Sequence, residues 1–105
     1  MTVSLRVLDA HNGLPVEDLP VRLEHRGCEG WSTVDVARTD CTGRVEQWDV
    51  PSGAAYRCVL DTDRHFTPLG LTGFYTEIIL ALRCSAMRVT ILVAPHFHLV
   101  HDENP

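Results

Sequence analysis

Three of the six histidines lie close together near the end of the chain, at His96, His98 and His101. Histidine takes up and releases protons near neutral pH, so these side chains are candidates for acid–base catalysis. If this stretch is a strand, His96 and His98 share one face and His101 lies on the other. We take His98 and His101 as candidate catalytic bases. The alternative for each is a solvated surface imidazole.

Metal and cofactor chemistry receive little support from the sequence. His96 and His98 have the spacing of two metal ligands on one strand face, but zinc normally requires further ligands and hydrogen bonds that orient them. No cysteine lies near them in the sequence. A phosphate-binding glycine loop and a Gly-x-Ser-x-Gly motif are also missing. We therefore expect neither a metal nor a cofactor.

The composition indicates one acidic domain of 105 residues with a net charge of −5. Nucleic acids and anionic membranes attract clustered positive charge, so neither is expected as a partner. All nine basic residues are arginine, a permanently charged planar group that suits carboxylate binding. No stretch approaches the roughly 20 apolar residues of a membrane span or the apolar core of a signal peptide. We expect a cytoplasmic protein with reduced cysteines.

Alternation of apolar and polar residues predicts strands along most of the chain. Strands 74–84 and 87–94 are predicted to pair with each other across a short turn, and a single short helix is predicted within 61–70. These elements indicate an all-β fold, an antiparallel β-sandwich formed by one domain over residues 1–105. The other predicted strands cover 3–8, 21–25, 32–38, 44–48, 54–60 and the residues that follow Pro95.

Two arginines occur among apolar residues on predicted outer strand faces. Arg6 shares its face with Leu8, and Arg88 shares its face with Thr90 and Leu92. Such a pattern is typical of a subunit interface or a ligand groove. It also occurs on an exposed strand where one long side chain lies flat against its neighbours. The alternation alone leaves both interpretations open.

Five segments follow one another in an order that covers essentially the whole chain: Ser4–Ala10 with Gly13–Pro15, Ala37–Arg44, Leu60–Thr62, Phe74–Glu77, and a strand ending in Ala94–Pro95. In this order they resemble transthyretin and its enzymatic relatives, the 5-hydroxyisourate hydrolases. The resemblance implies a transthyretin-like β-sandwich of two four-stranded sheets with one short helix. It also implies a homotetramer, a dimer of dimers, with a central channel lined by one sheet from each subunit.

The residues that carry out hydrolysis in these relatives are largely replaced. The hydrolases have a histidine in a Thr-His-Val-Leu-Asp context where this chain has Arg6, and a histidine in a His-Val-Pro-Leu-Leu context where it has Arg88. Their arginine in an Ala-Arg-Thr segment is kept as Arg38. Their final Tyr-Arg-Gly-Ser corresponds to residues 101–104, which read His-Asp-Glu-Asn. An arginine stays protonated and cannot activate water as a base, so we expect no hydrolysis of 5-hydroxyisourate.

The resemblance places Arg6, Arg38 and Arg88 together at the channel. Three guanidiniums there would bind a carboxylate, an enolate or a polarised carbonyl and would stabilise a developing oxyanion. Arg38 is therefore a candidate catalytic residue alongside the histidines, and Asn104 joins Arg6 and Arg88 as a candidate for substrate binding. Transthyretin, a carrier, has lysine at the position of Arg6, so the departure is also compatible with a binding protein.

We therefore expect a homotetramer that acts on a small anionic or carbonyl-bearing metabolite by acid–base chemistry without a cofactor. Ring opening, ring closure, hydrolysis and isomerisation all fit this description. The main alternative is a protein that binds an acidic small molecule in the arginine-lined channel and catalyses nothing. A third is a structural remnant of the family that keeps only its assembly.

Overall fold

The computed structural model describes residues 2–51, 53–82 and 87–103. Over these residues the chain forms eight strands, with one short helix between the fifth and the sixth. The strands are β1 Thr2–Asp9, β2 Pro20–Gly27, β3 Gly30–Arg38, β4 Arg44–Asp49, β5 Tyr56–Leu60, β6 Ile78–Leu82, β7 Met87–Val93 and β8 His98–Asp102. Helix α1, Asp63–Phe66, continues into a 3-10 turn at Thr67–Leu69.

These strands form two four-stranded sheets, one in the order β4-β1-β7-β8 and the other in the order β3-β2-β5-β6. In the first sheet β1 and β7 run parallel at the centre, and antiparallel strands flank them on both sides. The second sheet is antiparallel throughout. The predicted β-sandwich with one short helix is therefore confirmed.

The predicted pairing of residues 74–84 with 87–94 is wrong. Strand β6 begins only at Ile78 and pairs with β5 in the second sheet, whereas β7 pairs with β1 and β8 in the first. The chain therefore crosses between the sheets at this point, and the predicted turn lies outside the described residues. Alternation shows which side of a strand is buried, but both sheets bury their inner sides against the same core, so it does not identify the partner strand.

The core lies between the two sheets and is built from alternate residues of the central strands. Full burial of one such aliphatic side chain contributes roughly 1.5–3 kcal/mol. Cys58 is one of these core residues, and burial raises the pKa of its thiol to about 12. Cys28 and Cys41 are exposed free thiols. The inward-facing residues of the central strands include Val3, Leu5, Val7, Val21, Leu23, Cys58, Leu60, Val89, Ile91 and Val93.

A buried carboxylate at the end of β1 connects the first sheet to helix α1. Asp9 Oδ2 lies 2.7 Å from His65 Nε2, and Asp9 Oδ1 accepts a 2.8 Å hydrogen bond from the His11 amide. Burial works to raise the pKa of Asp9, but the hydrogen bonds of His65 and His11 outweigh it and hold the pKa below its usual value. His65 is therefore a structural residue. No helix within the described ranges is long and apolar enough to cross a membrane.

Candidate functional site

The outer side of the first sheet carries a row of polar side chains across all four strands. Arg44 lies opposite Arg6, Arg6 lies beside Thr90, and Thr90 lies opposite His101. Partner residues in neighbouring strands point to the same side of a sheet, and the inner side here is filled by the core. Arg88 lies two residues before Thr90 and Glu103 lies two residues after His101, so both are on the same side of the sheet. We name this surface the arginine face; it comprises Arg6, Arg44, Arg88, Thr90, His101 and Glu103.

Glu103 lies just beyond β8 and inserts its carboxylate among the arginines. Its amide donates a 2.8 Å hydrogen bond to the Arg88 carbonyl oxygen, which continues the pairing of β8 with β7. Its Oε1 accepts a hydrogen bond from the Thr90 hydroxyl, and its Oε2 lies 3.2 Å from Arg88 Nε. The Thr90 hydrogen bond lowers the pKa of Glu103, burial opposes this, and the charges of Arg44, Arg88 and Arg6 lower it further.

A row of leucines borders the arginine face on one side. Leu8 of β1 lies beside Leu92 of β7, and Leu92 lies opposite Leu99 of β8. Leu99 is largely exposed, so this apolar row is open in the single chain. The outer face of the sheet therefore carries a charged region next to an apolar row, a combination that suits a small amphipathic ligand or a contact between subunits.

The predicted separation of His98 from His101 on opposite faces of the strand is confirmed, whereas His96, predicted to share a face with His98, lies before the strand. His101 belongs to the arginine face. His98 lies opposite the buried Val93 and therefore points to the other side of β8, where its ring meets Tyr75 edge-on at 5.7 Å. His96 precedes the strand and stacks on Phe74 at 6.2 Å.

Within one chain, Arg38 lies on a different sheet from Arg6 and Arg88, and the expectation that the three meet at a channel between subunits stays a prediction. Arg38 ends β3 in the second sheet, and its Nη1 is 3.3 Å from Asp18 Oδ1 and donates a 3.2 Å hydrogen bond to the Asp18 carbonyl oxygen. The chain crosses from one sheet to the other after β3, so the third arginine of the first sheet is Arg44. Arg44 was missed although it ends the segment Ala37–Arg44, because the partner of β4 cannot be read from the sequence.

The turn before β4 positions Arg44. Asp40 Oδ1 accepts hydrogen bonds from the Thr42 amide and hydroxyl and from the Arg44 amide. Gly43 adopts a φ of 80°, and a Cβ at this position would overlap the Val7 carbonyl oxygen. That oxygen belongs to β1, so the turn presses against the strand that carries Arg6. The Arg6 Nε in turn donates a 3.3 Å hydrogen bond to the Thr42 carbonyl oxygen.

The remaining predicted site features can be placed only in part. Asn104 lies outside the described residues. Among the described residues, no group of three or more His, Cys, Asp or Glu side chains is arranged to hold a metal ion. A separate cavity of about 490 Å³ opens beside Arg38 between the edges of the two sheets, where Trp48 Nε1 donates a 2.7 Å hydrogen bond to Asp35 Oδ2.

Comparison with known proteins identifies the family. The model of the HIUase/Transthyretin family matches residues 3–100, so the chain belongs to that family. It is 30% identical over 79 residues to the 5-hydroxyisourate hydrolase of Salmonella dublin. That match covers 72% of this chain and 58% of the relative's length.

Two solved structures show the same fold. The 5-hydroxyisourate hydrolase of Klebsiella pneumoniae superposes with a TM-score of 0.86 at 23% identity, over 98% of this chain and 93% of that one. Transthyretin from Sparus aurata superposes with a TM-score of 0.78 at 20% identity, over 95% of this chain and 94% of that one. The fold is therefore transthyretin-like, as the resemblance implied.

Proposed function

We propose that this protein is an enzyme that binds a small anionic or carbonyl-bearing metabolite on the arginine face and transforms it by acid–base chemistry without a cofactor. The observation that carries this proposal is the row formed by Arg44, Arg6, Thr90 and His101 across neighbouring strands. It combines two permanent cations with a group that can exchange a proton near neutral pH.

The roles of these groups follow from their chemistry. Arg6 and Arg44 bind the carboxylate, enolate or carbonyl oxygen of the substrate through forked hydrogen bonds. Their fixed charges stabilise the negative charge that develops on oxygen during ring opening, ring closure, hydrolysis or isomerisation. Because an arginine stays protonated, the proton is transferred by His101. Of the two candidate bases, His101 is preferred because His98 points away from the arginines.

We further propose that the substrate is not 5-hydroxyisourate, although relatives bear the name of that hydrolase. The proposal rests on Arg6 and Arg88, which stand where the family's histidines are expected and cannot act as bases. Hydrolysis of 5-hydroxyisourate at an ordinary enzymatic rate by the purified protein would refute it.

A homotetramer with the arginine face lining a central channel is part of the same proposal. Its support is the leucine row beside the arginines, in which Leu99 is exposed, since an apolar strip at the border of a charged surface gains stability when a second subunit covers it. Sedimentation equilibrium is expected to give four times the mass of the chain. A monomer at micromolar concentration would contradict this assembly.

The decisive test of the catalytic role compares His101→Ala with His98→Ala. Each variant removes one imidazole from the same strand, on opposite sides, so each is the control for the other. Turnover would be screened by absorbance on lactones, lactams and cyclic ureides that carry a carboxylate. We expect His101→Ala to lower turnover by about 10²–10⁴-fold, the usual contribution of general acid–base catalysis, and His98→Ala to leave it nearly unchanged. Full activity of His101→Ala would disprove this role.

The alternative is a protein that binds an acidic small molecule on the same face and does not transform it. The leucine row beside the arginines favours it, because a carrier needs only a charged end and an apolar end. Saturable binding of an aromatic carboxylate that Arg44→Ala abolishes, with no turnover of any compound screened, would support the carrier. Turnover that depends on His101 would exclude it.

A further inference from the structure

Glu103 is an acidic side chain inside a site that is otherwise cationic. Its side chain is 21% exposed, so the carboxylate is partly covered but remains accessible to solvent. The Thr90 hydroxyl donates a hydrogen bond to one carboxylate oxygen, and Arg88 forms an ion pair with the other. A carboxylate has about four lone-pair positions, so each oxygen keeps a second position to accept a hydrogen bond from a ligand.

The three arginines are not equally available to a ligand. The Arg88 guanidinium forms an ion pair with the Glu103 carboxylate at 3.2 Å, whereas Arg44 and Arg6 act on that carboxylate through their charges without forming an ion pair with it. Among the described side chains, none forms an ion pair with Arg44, and the Nε of Arg6 is bonded to a backbone oxygen. Among the described side chains, the arginines without an ion-pair partner are therefore Arg6 and Arg44, on the β1–β4 side of Thr90, whereas the carboxylate of Glu103 lies near β7 and β8.

We propose that Glu103 determines the ligand class of this site: a monoanion whose acidic group binds Arg6 and Arg44 and whose amide- or ureide-type N–H group donates to the Glu103 carboxylate. This inference rests on the anion binding proposed above. The Glu103 carboxylate attracts an N–H donor and repels a second carboxylate. It therefore strengthens the binding of ligands with an N–H donor and weakens the binding of dicarboxylates. Dicarboxylates and monoanions without a donor are the classes it disfavours.

Two probes of nearly the same length separate these classes. N-carbamoylglycine carries one carboxylate and a urea group with N–H donors, whereas monomethyl succinate carries one carboxylate and no N–H donor. Their dissociation constants would be measured by NMR titration with the wild type, Glu103→Gln and Glu29→Gln. Glu29 is exposed in the turn between β2 and β3, so its variant reproduces the charge change away from the site.

We expect the wild type to prefer N-carbamoylglycine by about tenfold, since a hydrogen bond to a charged acceptor is worth roughly twice one to a neutral acceptor. In Glu103→Gln the preference should fall to about twofold or less, because N-carbamoylglycine binds more weakly and monomethyl succinate more tightly. Glu29→Gln should keep the wild-type preference. Thr90→Val, which keeps the Glu103 charge but removes its hydrogen bond, should reduce the preference to a smaller extent.

The outcomes distinguish this inference from the proposed function. Binding of both probes without a preference in the wild type, or with a preference that Glu103→Gln retains, would overturn the role of Glu103 and leave anion binding intact. Failure of the wild type to bind either probe would overturn the proposed function and this inference with it. If Glu103→Gln does not fold, an unchanged preference in Thr90→Val overturns the inference.

Discussion

On the outer face of each sheet, a glutamate lies among arginines. The two clusters differ in how many of those arginines form an ion pair with the glutamate. On the second sheet, Glu24 accepts hydrogen bonds from Arg22 Nε at 2.9 Å and from Arg57 Nε at 2.6 Å. The Arg57 guanidinium also lies 4.2 Å from the centre of the Trp31 ring. On the first sheet, Glu103 pairs with Arg88, and two further arginines share the face without an ion pair to a described side chain.

The difference separates a structural charge cluster from a candidate ligand site. A glutamate that accepts hydrogen bonds from two arginines, one of which also stacks on an aromatic ring, stabilises the fold, and the groups of this cluster have little left to offer a ligand. On the first sheet, the described side chains of the arginine face comprise three arginines and one carboxylate, Glu103, so Arg6 and Arg44 have no ion-pair partner there that would give them such a structural role. This surplus on the first sheet is the physical basis of the proposed function.

The largest effect is expected at the turn that places Arg44 on its face. Gly43→Ala combines a positive φ with an overlap between the new Cβ and the Val7 carbonyl oxygen, so the free energy of unfolding should fall by about 2–4 kcal/mol. Probe binding should weaken as well, because the turn that carries Arg44 must move. Gly13→Ala is the matched control: its φ is 74°, but a Cβ there meets nothing within 4 Å.

Urea denaturation of both variants provides the measurement. Gly13→Ala should cost only about 1 kcal/mol, the usual penalty of a positive φ, and should leave probe binding unchanged. Equal losses of stability in the two variants would show that the close approach of the turn to β1 is unimportant.

A smaller effect on stability should distinguish the two glutamates. Glu24→Gln leaves Arg22 and Arg57 without their carboxylate and should lower the free energy of unfolding by about 1–2 kcal/mol. Glu103→Gln weakens one partly exposed ion pair and should cost less than about 0.5 kcal/mol. Thermal and urea unfolding of both variants would measure the two losses of stability. A larger loss in Glu103→Gln than in Glu24→Gln would contradict the structural role assigned to the Glu24 cluster.

The Glu24 cluster should also make stability depend on pH. Hydrogen bonds from Arg22 and Arg57 hold the pKa of Glu24 below its ordinary value of 4.5. A carboxylate whose pKa is lowered by folding contributes stability above the ordinary value and loses it as the pH falls through the lowered one. The stability difference between wild type and Glu24→Gln should therefore be full at neutral pH and should shrink below pH 4.5. A difference that stays constant with pH would rule out this origin.

The strands and their faces could largely be predicted from the sequence, because alternation depends on local pattern alone. The alternation placed His98 and His101 on opposite faces of the last strand, and it placed Arg6 and Leu8 on the same face of the first. Strand partners could not be predicted from alternation: the pairing of 74–84 with 87–94 was wrong because β6 and β7 face the same core from different sheets.

The composition of the site depended on those partners and was therefore only partly predictable. Arg38 and Arg44 are six residues apart, and the crossing between sheets assigns them to different surfaces. The position of Glu103 requires the register of β8 against β7, which sets its carboxylate between Thr90 and Arg88. The residues around Glu103 in the sequence carry no local signal of such a contact.

The affinity of Arg44→Ala for N-carbamoylglycine, measured beside that of Arg22→Ala, tests most directly whether the first face binds ligands and the second does not. Both variants remove one arginine from an outer sheet face and change the net charge equally. Arg44→Ala should weaken binding by about tenfold or more, as expected for the loss of a charge-assisted hydrogen bond, while Arg22→Ala binds like the wild type. Wild-type affinity in Arg44→Ala, or an equal loss in both variants, would contradict the assignment of the arginine face as the ligand site.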